Sequence, residues 1–147
     1  MARTGDMIDL PVVLLVDDNA SVRQSLIRAL SFENFGVVAA ANGGEALRGL
    51  GGNAIDVVLL DQDLGRESGW DTLAQLRQMQ PGLPVIIMSA RPERGPEHAI
   101  ERVDALMEKP LDLPLLFQIL GALAAQSHAK RLAAVPRSQR PNPVAVV

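Results

Sequence analysis

Four positions along the sequence place residues capable of phosphate or metal chemistry directly after an apolar run. They are the acidic pair Asp17-Asp18, Asp61 followed by Asp63, then Ser89 and Lys109. Carboxylate oxygens are ligands that Mg²⁺ prefers, and a carboxylate can also attack phosphorus to give an aspartyl phosphate. A lysine and a hydroxyl can neutralise and bond the phosphoryl oxygens. The set therefore predicts phosphoryl chemistry at a divalent-metal site.

Each of these residues also has an ordinary structural interpretation. Asp17 and Asp18 could cap a helix, and Asp61 could end a strand and begin a turn. Ser89 could simply enter a loop, and Lys109 could be a solvated residue at a strand end. The functional hypothesis depends on the combination, because four separate strand ends each carry the residue type that the chemistry needs.

Five repeats of an apolar run followed by a helical pattern position these residues. The predicted strands are 12–16, 37–40, 55–60, 85–88 and 105–107, and the last helix starts at Asp112 with Pro114 in its first turn. Such alternation predicts an α/β fold, a five-stranded parallel sheet that is doubly wound with helices on both faces. The carboxyl ends of parallel strands meet at one edge of a sheet, where sites of this fold class form.

The composition excludes several classes of protein. The 147 residues include no cysteine and two histidines, which excludes disulfide frameworks and thiolate metal sites. Aromatic residues make up 3%, too few for a platform that stacks single-stranded nucleic acid. Residues 113–147 contain four of the 14 basic residues and none of the 17 acidic ones, so the rest of the chain is more acidic than the net charge of −3 suggests. An acidic body matches DNA poorly.

The sequence predicts one folded domain with two flanking segments. We expect a flexible N-terminus over residues 1–9, the domain over 10–126, and a mostly disordered basic tail over 127–147, although the last helix could run on to about Ala133. The tail has no room for a DNA-binding motif, so direct DNA binding is not expected. The apolar run from Leu10 to Val16 is too short to span a membrane, and no cleavage site follows it, so we expect a cytoplasmic location.

Four segments resemble the receiver domain of two-component response regulators, in particular chemotaxis-regulator-like receivers. They are VVLLVDDNASVR at 12–23, VVLLDQDLGRESGWD at 57–71, VIIMSA at 85–90 and EKPLD at 108–112. The resemblance runs from about Leu10 to Ala125. It implies a flavodoxin-like fold with strand order 2-1-3-4-5 and a cis bond between Lys109 and Pro110.

The resemblance also implies a role for each acidic position. Asp61 would be the phosphoacceptor. Asp17 and Asp18, together with Asp61, would hold Mg²⁺ or Mn²⁺, and Asp63 would lend its backbone carbonyl to the metal. The side chain of Asp63 adds a carboxylate that could tune metal affinity or autodephosphorylation, or could simply be solvated.

The remaining matching positions would handle the phosphoryl group. Lys109 would be the phosphoryl-binding lysine and Ser89 the switch hydroxyl, while the small Ala90 would leave access for the phosphoryl group. A lysine fits beside one phosphoryl oxygen, whereas a planar guanidinium would require bidentate geometry. Gly69 matches the glycine of the loop after the third strand.

Three departures from the family pattern concern the surroundings of the site. Gly65 replaces the usual proline and is expected to loosen the loop beside Asp61. Leu106 occupies the switch position, where the family usually has tyrosine or phenylalanine. We therefore expect the output signal of the domain to be weakened or altered. Residues 91–102 are short and contain two prolines, which predicts a truncated or mobile fourth helix.

The sequence favours a stand-alone receiver over two alternatives. It would accept a phosphoryl group from a histidine kinase or phosphotransfer protein and signal by contact with a downstream protein, with only slow self-catalysed phosphorylation and dephosphorylation. A homodimer through the fourth helix, fifth strand and fifth helix is one arrangement that the resemblance implies. The first alternative is a haloacid-dehalogenase-type phosphatase, suggested by Asp61-Gln62-Asp63, and the second is a phosphorylation-independent interaction module, suggested by Leu106.

Overall fold

Five parallel strands form the central sheet of the computed structural model, which describes residues 10–134. They are β1 (Val12–Val16), β2 (Gly36–Ala40), β3 (Val57–Asp61), β4 (Val85–Ser89) and β5 (Ala105–Glu108). Their order across the sheet is β2-β1-β3-β4-β5, and each neighbouring pair is parallel. The predicted fold class and strand order are therefore confirmed.

Five α-helices cover the two faces of the sheet. They are α1 (Ala20–Phe32), α2 (Gly43–Gly52), α3 (Gly69–Met79), α4 (Ala99–Arg102) and α5 (Leu113–Ala134). Of the residues that could begin α1, Asn19 is the cap, since its Oδ1 accepts the N–H of Val22 at 3.0 Å. Asp112 caps α5 as predicted, because its Oδ1 accepts the N–H of Leu115 at 3.1 Å.

The core lies in two layers, one on each face of the sheet. Alternate residues of β1 and β3 point to opposite faces, so Leu14 and Leu60 pack with α2 and α3, while Leu15 and Leu59 pack with α1 and α5. All four leucines are fully buried. Burial of both faces explains why these two strands are continuous apolar runs rather than alternating ones.

Several element boundaries differ from the sequence prediction. Helix α1 ends at Phe32, before the predicted limit of 34–36, and Asn34 takes the left-handed conformation with φ of 67°. The polar loop after β3 contains a two-stranded hairpin, Asp63–Leu64 paired with Glu67–Ser68. The loop over 91–96 contains a 3₁₀ turn at Pro92–Arg94, and α4 is as short as predicted.

Helix α5 continues to Ala134, so residues 127–134 of the predicted tail are helical, as the alternative of a last helix running on to about Ala133 allowed. The reason is a polar contact in that last stretch: Arg131 Nη2 donates to the buried carboxylate of Asp56 at 2.9 Å, and His128 Nδ1 lies 3.3 Å from the same carboxylate. The predictions for residues 1–9 and 135–147 lie outside the described residues. Within the described part of the chain, no helix is both long and apolar enough to cross a membrane.

Candidate functional site

Three carboxylates meet at the carboxyl edge of the sheet. Strands β1 and β3 are paired with Val16 opposite Leu60, so Asp17 and Asp61 follow at adjacent positions of the edge. One carboxylate oxygen from each of Asp17, Asp18 and Asp61 lies within 4.8 Å of the other two. Asp17 and Asp61 are buried, whereas Asp18 is exposed at the rim. The predicted convergence of these acids is therefore observed.

Asp17 is held in an orientation that leaves one oxygen without a hydrogen bond. Its Oδ1 accepts the N–H of Asn19 at 2.9 Å, but its Oδ2 is buried and has no hydrogen-bond donor. The pKa of Asp17 is raised, and burial is the largest cause. The charges of Asp61 and Asp18 also raise this pKa, whereas the hydrogen bond from Asn19 and the charge of Lys109 lower it. A buried carboxylate oxygen beside two further carboxylates is the chemistry of a hard-cation site.

Asp61 is bonded through both of its carboxylate oxygens. Oδ1 accepts the backbone N–H of Asp63 at 3.0 Å, and Oδ2 accepts from the ammonium of Lys109 at 2.9 Å. The Nζ of Lys109 also lies 3.9 Å from Oδ2 of Asp17. The ammonium thus lies between two of the three acids and offsets part of their mutual repulsion.

Lys109 reaches the acidic cluster from the end of β5. Its backbone N–H donates to the carbonyl of Ser89 at 2.8 Å, and the peptide bond to Pro110 is cis, as the family resemblance implied. Burial lowers the pKa of Lys109, but the hydrogen bond and charge of Asp61, with the charges of Asp17 and Asp18, raise it, and the net direction is upward. The side chain is therefore held as an ammonium next to Asp61.

Ser89 and Ala90 form the end of β4 on the same edge of the sheet. Because Asp61 is paired with Met88, Ser89 lies one position beyond the phosphoacceptor candidate along the edge. Ser89 is fully buried, and its Oγ accepts the N–H of Arg91 at 3.0 Å. Ala90 is exposed. The hydroxyl is thus tied to the loop that leads to α4.

Two glycines shape the loop between β3 and α3. A Cβ on Gly69 would lie 2.1 Å from the carbonyl oxygen of Asp61, so only glycine fits there. Gly65 has φ of 69°, and a Cβ there would lie 3.4 Å from Oδ2 of Asp18, which places the hairpin against the acidic cluster. Asp63 is exposed, and its backbone N–H donates to Oδ1 of Asp61.

Leu106 lies in β5 away from the acidic cluster. It is half-buried and packs against the core layer that contains Trp70. Arg102 of α4 lies over the Trp70 ring, 5.6 Å from its centroid. Aromatic packing on this side of the sheet is therefore provided by α3 rather than by β5.

The sequence missed two residues that support the site from α1. The N–H of Asn19 bonds the carboxylate of Asp17, and Arg23 Nη1 donates to the Asp17 carbonyl at 2.7 Å. Asn19 offers no signal for this contact, because the donor is a backbone N–H that every residue type except proline carries. Arg23 offers no signal in the sequence, because its target is a backbone oxygen.

Comparison with known proteins places this fold and site in a family. Residues 13–120 match the model of the response regulator receiver domain. The response regulator MprA of Mycobacterium sp. (strain KMS) is 36% identical over 122 residues, which cover 78% of this chain and 51% of that protein. The transcriptional regulatory protein GlrR of Escherichia coli (strain K12) is 32% identical over 117 residues, or 26% of its length. The chain belongs to the response regulator receiver family.

Solved structures share the same fold. A CheY-like receiver domain from Methanospirillum hungatei superposes with a TM-score of 0.74 at 23% identity, covering 82% of this chain and 98% of that one. The response regulator TrrA of Thermotoga maritima, solved with Mg²⁺ and BeF, gives a TM-score of 0.71 at 24% identity, with 78% and 99% covered. This chain spans about half the length, or less, of the curated relatives MprA and GlrR.

Proposed function

We propose that this chain accepts a phosphoryl group on Asp61 from the phosphohistidine of a histidine kinase or phosphotransfer protein. Receiver domains are phosphorylated by such kinases as a class. The observation that carries the assignment to this residue is the contact between Asp61 Oδ2 and Lys109 Nζ at 2.9 Å inside a three-carboxylate cluster. Asp61 combines a nucleophilic oxygen with a cation beside the position that the phosphoryl oxygens would occupy.

The residues fit a divalent cation, and we assign Asp17, Asp18 and Asp61 as its carboxylate ligands, with the Asp63 carbonyl as a further one. The unpartnered Oδ2 of Asp17 supports this assignment. When bound, Mg²⁺ or Mn²⁺ would neutralise charge on the carboxylates and on the phosphoryl oxygens. The other steps belong to the protein's own side chains.

The transfer itself requires a free carboxylate oxygen and a leaving group. An oxygen of Asp61 attacks phosphorus, the new O–P bond forms as the P–N bond of the donor histidine breaks, and the imidazole leaves with its electron pair. The N–H of Asp63 keeps the second oxygen of Asp61 in place. Lys109 frees Oδ2 of Asp61 for this attack by moving its hydrogen bond from the carboxylate to a phosphoryl oxygen as the O–P bond forms, which it can do because it binds as a point charge.

The signal would leave the site through Ser89. Its Oγ accepts the N–H of Arg91, so a move of the hydroxyl toward a phosphoryl oxygen breaks that bond and releases the loop before α4. The exposed Ala90 leaves the approach open. We propose the face of α4, β5 and α5 as the surface that contacts the downstream protein, or a second copy of the chain. On this surface Leu106 contributes by packing against its neighbours, and it does not act as the switch that an aromatic residue provides at this position in the family.

The phosphodonor would approach over an apolar groove between α1 and the segment that follows Lys109. The groove has a volume of about 410 Å³ and is lined by Val22 and Leu26 on one side and by Pro110, Leu111 and Leu113 on the other. Lys109 itself lines the groove, which makes it continuous with the phosphoacceptor site. An apolar surface beside the nucleophile suits a helical donor that must hold its histidine in line.

Phosphorylation of a single carboxylate tests the proposal. With acetyl phosphate and Mg²⁺, the wild-type chain should give an acid-labile phosphoprotein on a phosphate-retarding gel, and Asp61→Asn should give none. Asp71→Asn is the matched control, because Asp71 is an exposed aspartate of α3 outside the acidic cluster, and this variant should remain phosphorylated.

Three outcomes would contradict the assignment. An adduct that persists in Asp61→Asn would move the phosphoacceptor elsewhere, and no adduct in the wild-type chain would favour the phosphorylation-independent module. Rapid turnover of phosphate monoesters would favour the phosphatase. The fold already opposes that last alternative, because Asp61-Gln62-Asp63 follows the third strand of a receiver fold and the chain matches the receiver family.

A further inference from the structure

A polar cavity, separate from the apolar groove beside α1, lies next to the acidic cluster. It is on the side of the hairpin and of the loop before α4. Its volume is about 330 Å³, near the lower end of small-molecule sites. Three arginines line it: Arg66 from the hairpin, and Arg91 and Arg94 from the loop after β4. Neither the proposed phosphoacceptor nor Lys109 contributes to its lining.

The three arginines of this cavity have no acidic partner within the part of the chain that the structure describes. Among residues 10–134, no ion pair within 4.0 Å involves Arg66, Arg91 or Arg94, and all three are exposed. Two acids share the lining, Asp63 and Glu67, and Glu67 already accepts the N–H of Gly43 at 2.9 Å. The cavity therefore carries an excess of unpaired positive charge.

Two buried polar atoms of the lining residues also have no partner. Trp70 Nε1 and Gln62 Oε1 make no hydrogen bond, although the two residues are only 8% and 7% exposed. Leaving a buried donor or acceptor unsatisfied costs about 1–3 kcal/mol. The Trp70 ring is held by Arg102 on its face and by the approach of Gly95, so it cannot easily turn its N–H outward. Neither atom is exposed to the cavity, so the Trp70 ring and the Gln62 side chain line it without offering these two groups to a ligand.

We infer that this cavity binds a small phosphate-bearing anion, at a site distinct from the phosphoryl group proposed on Asp61. Guanidinium groups match phosphate oxygens in a bidentate manner, and three arginines from two segments line this cavity. The inference requires no phosphorylation of Asp61, so either proposal can fail without the other.

Fluorescence of Trp70, the only tryptophan of the chain, provides a direct readout. The 147-residue chain is titrated without Mg²⁺ with inorganic pyrophosphate and, separately, inorganic phosphate, against sodium chloride of equal ionic strength. Pyrophosphate should give a saturable change at millimolar concentration or below. The double variant Arg91→Gln and Arg94→Gln should weaken the apparent affinity by at least about tenfold, because two charge-assisted contacts are lost.

Two further variants locate the anion. Arg28→Gln removes an exposed arginine of α1, is the matched control and should bind like the wild type. Lys109→Gln removes the cation of the acidic cluster and reports whether the anion lies there instead. Binding that is lost in Lys109→Gln and kept in the double variant would place the anion at the acidic cluster and overturn the inference. A response that does not saturate, or that sodium chloride reproduces, would also overturn it. Circular dichroism of each variant verifies that it is folded.

Discussion

The region around Asp61, the proposed phosphoacceptor, depends on one position where no side chain fits. Gly69 brings the start of α3 so close to β3 that its N–H donates to the carbonyl of Gln62 at 2.7 Å. A methyl group there would meet the Asp61 carbonyl, which is backbone and belongs to the sheet, so neither atom can turn away. The position of Asp61 and the packing of α3 are therefore fixed by the same glycine.

Gly69→Ala should consequently destabilise the fold and impair phosphorylation together. We expect a loss of about 2–3 kcal/mol in the free energy of unfolding, typical of forced overpacking, measured by urea denaturation. Gly121→Ala is the control, because no atom lies within 4 Å of a Cβ at that helical position. It should stabilise the protein by up to about 1 kcal/mol. Equal stability of the two variants would show that the α3 junction shifts freely.

At the scale of elements, the opposite edge of the sheet explains the length of α5. Asp56 precedes β3, is fully buried, and accepts the N–H of Val12 at 2.8 Å. Arg131 reaches it with Nε at 3.1 Å and Nη2 at 2.9 Å. The carboxylate therefore joins β1, β3 and the last turns of α5, far from the phosphoacceptor candidate.

Arg131→Gln should weaken this junction without affecting the phosphorylation site. We expect a cost of about 2 kcal/mol, less than for a fully buried pair because the Arg131 side chain is 33% exposed. Hydrogen exchange should increase in residues 127–134 and at the start of β1. Lys130→Gln, a neighbouring exposed base, should change neither quantity. Unchanged exchange in Arg131→Gln would mean that α5 is held by its apolar face alone.

The same elements show what the sequence could and could not predict. The parallel sheet, the convergence of Asp17, Asp18 and Asp61, and the place of Lys109 follow from alternating patterns and parallel strands, so they were predictable. The strand order was implied by the family resemblance alone. The contact of Asp56 with Arg131 was not predictable. It joins residues 75 positions apart, and each looks like an ordinary charged residue in the sequence. Apolar periodicity reports which face is buried but contains no information on such long-range polar pairs.

At the scale of the whole molecule, the acidic cluster lowers the stability of the metal-free fold. The same carboxylates are the proposed ligands of a divalent cation. The pKa of Asp17 is raised above its usual value of 3.8, first by burial and then by the charges of Asp61 and Asp18. A raised carboxyl pKa means that the folded state binds the proton more tightly than the unfolded state. Ionisation of Asp17 therefore opposes folding, fully so above its folded-state pKa, and this penalty disappears as the pH falls below 3.8.

Asp17→Asn should thus raise the melting temperature of the metal-free protein at neutral pH. The gain over the wild type should shrink as the pH is lowered toward 3.8, because protonation removes the same charge. Differential scanning calorimetry in the presence of EDTA measures both effects. Glu33→Gln removes one exposed negative charge and serves as the control. A lower melting temperature for Asp17→Asn than for the control would contradict the argument.

Magnesium should reverse this ranking, since the same carboxylates that repel one another are the proposed ligands. Binding to the folded state alone stabilises it by about 2.7 kcal/mol when free Mg²⁺ reaches a hundred times its dissociation constant. The wild type should therefore gain melting temperature on titration with Mg²⁺, while Asp17→Asn, which lacks one ligand, should gain little. When melting temperature is plotted against Mg²⁺ concentration, the plots for the wild type and for Asp17→Asn should cross at an intermediate concentration. Equal gains in both proteins would show that Mg²⁺ binds outside the cluster of Asp17, Asp18 and Asp61.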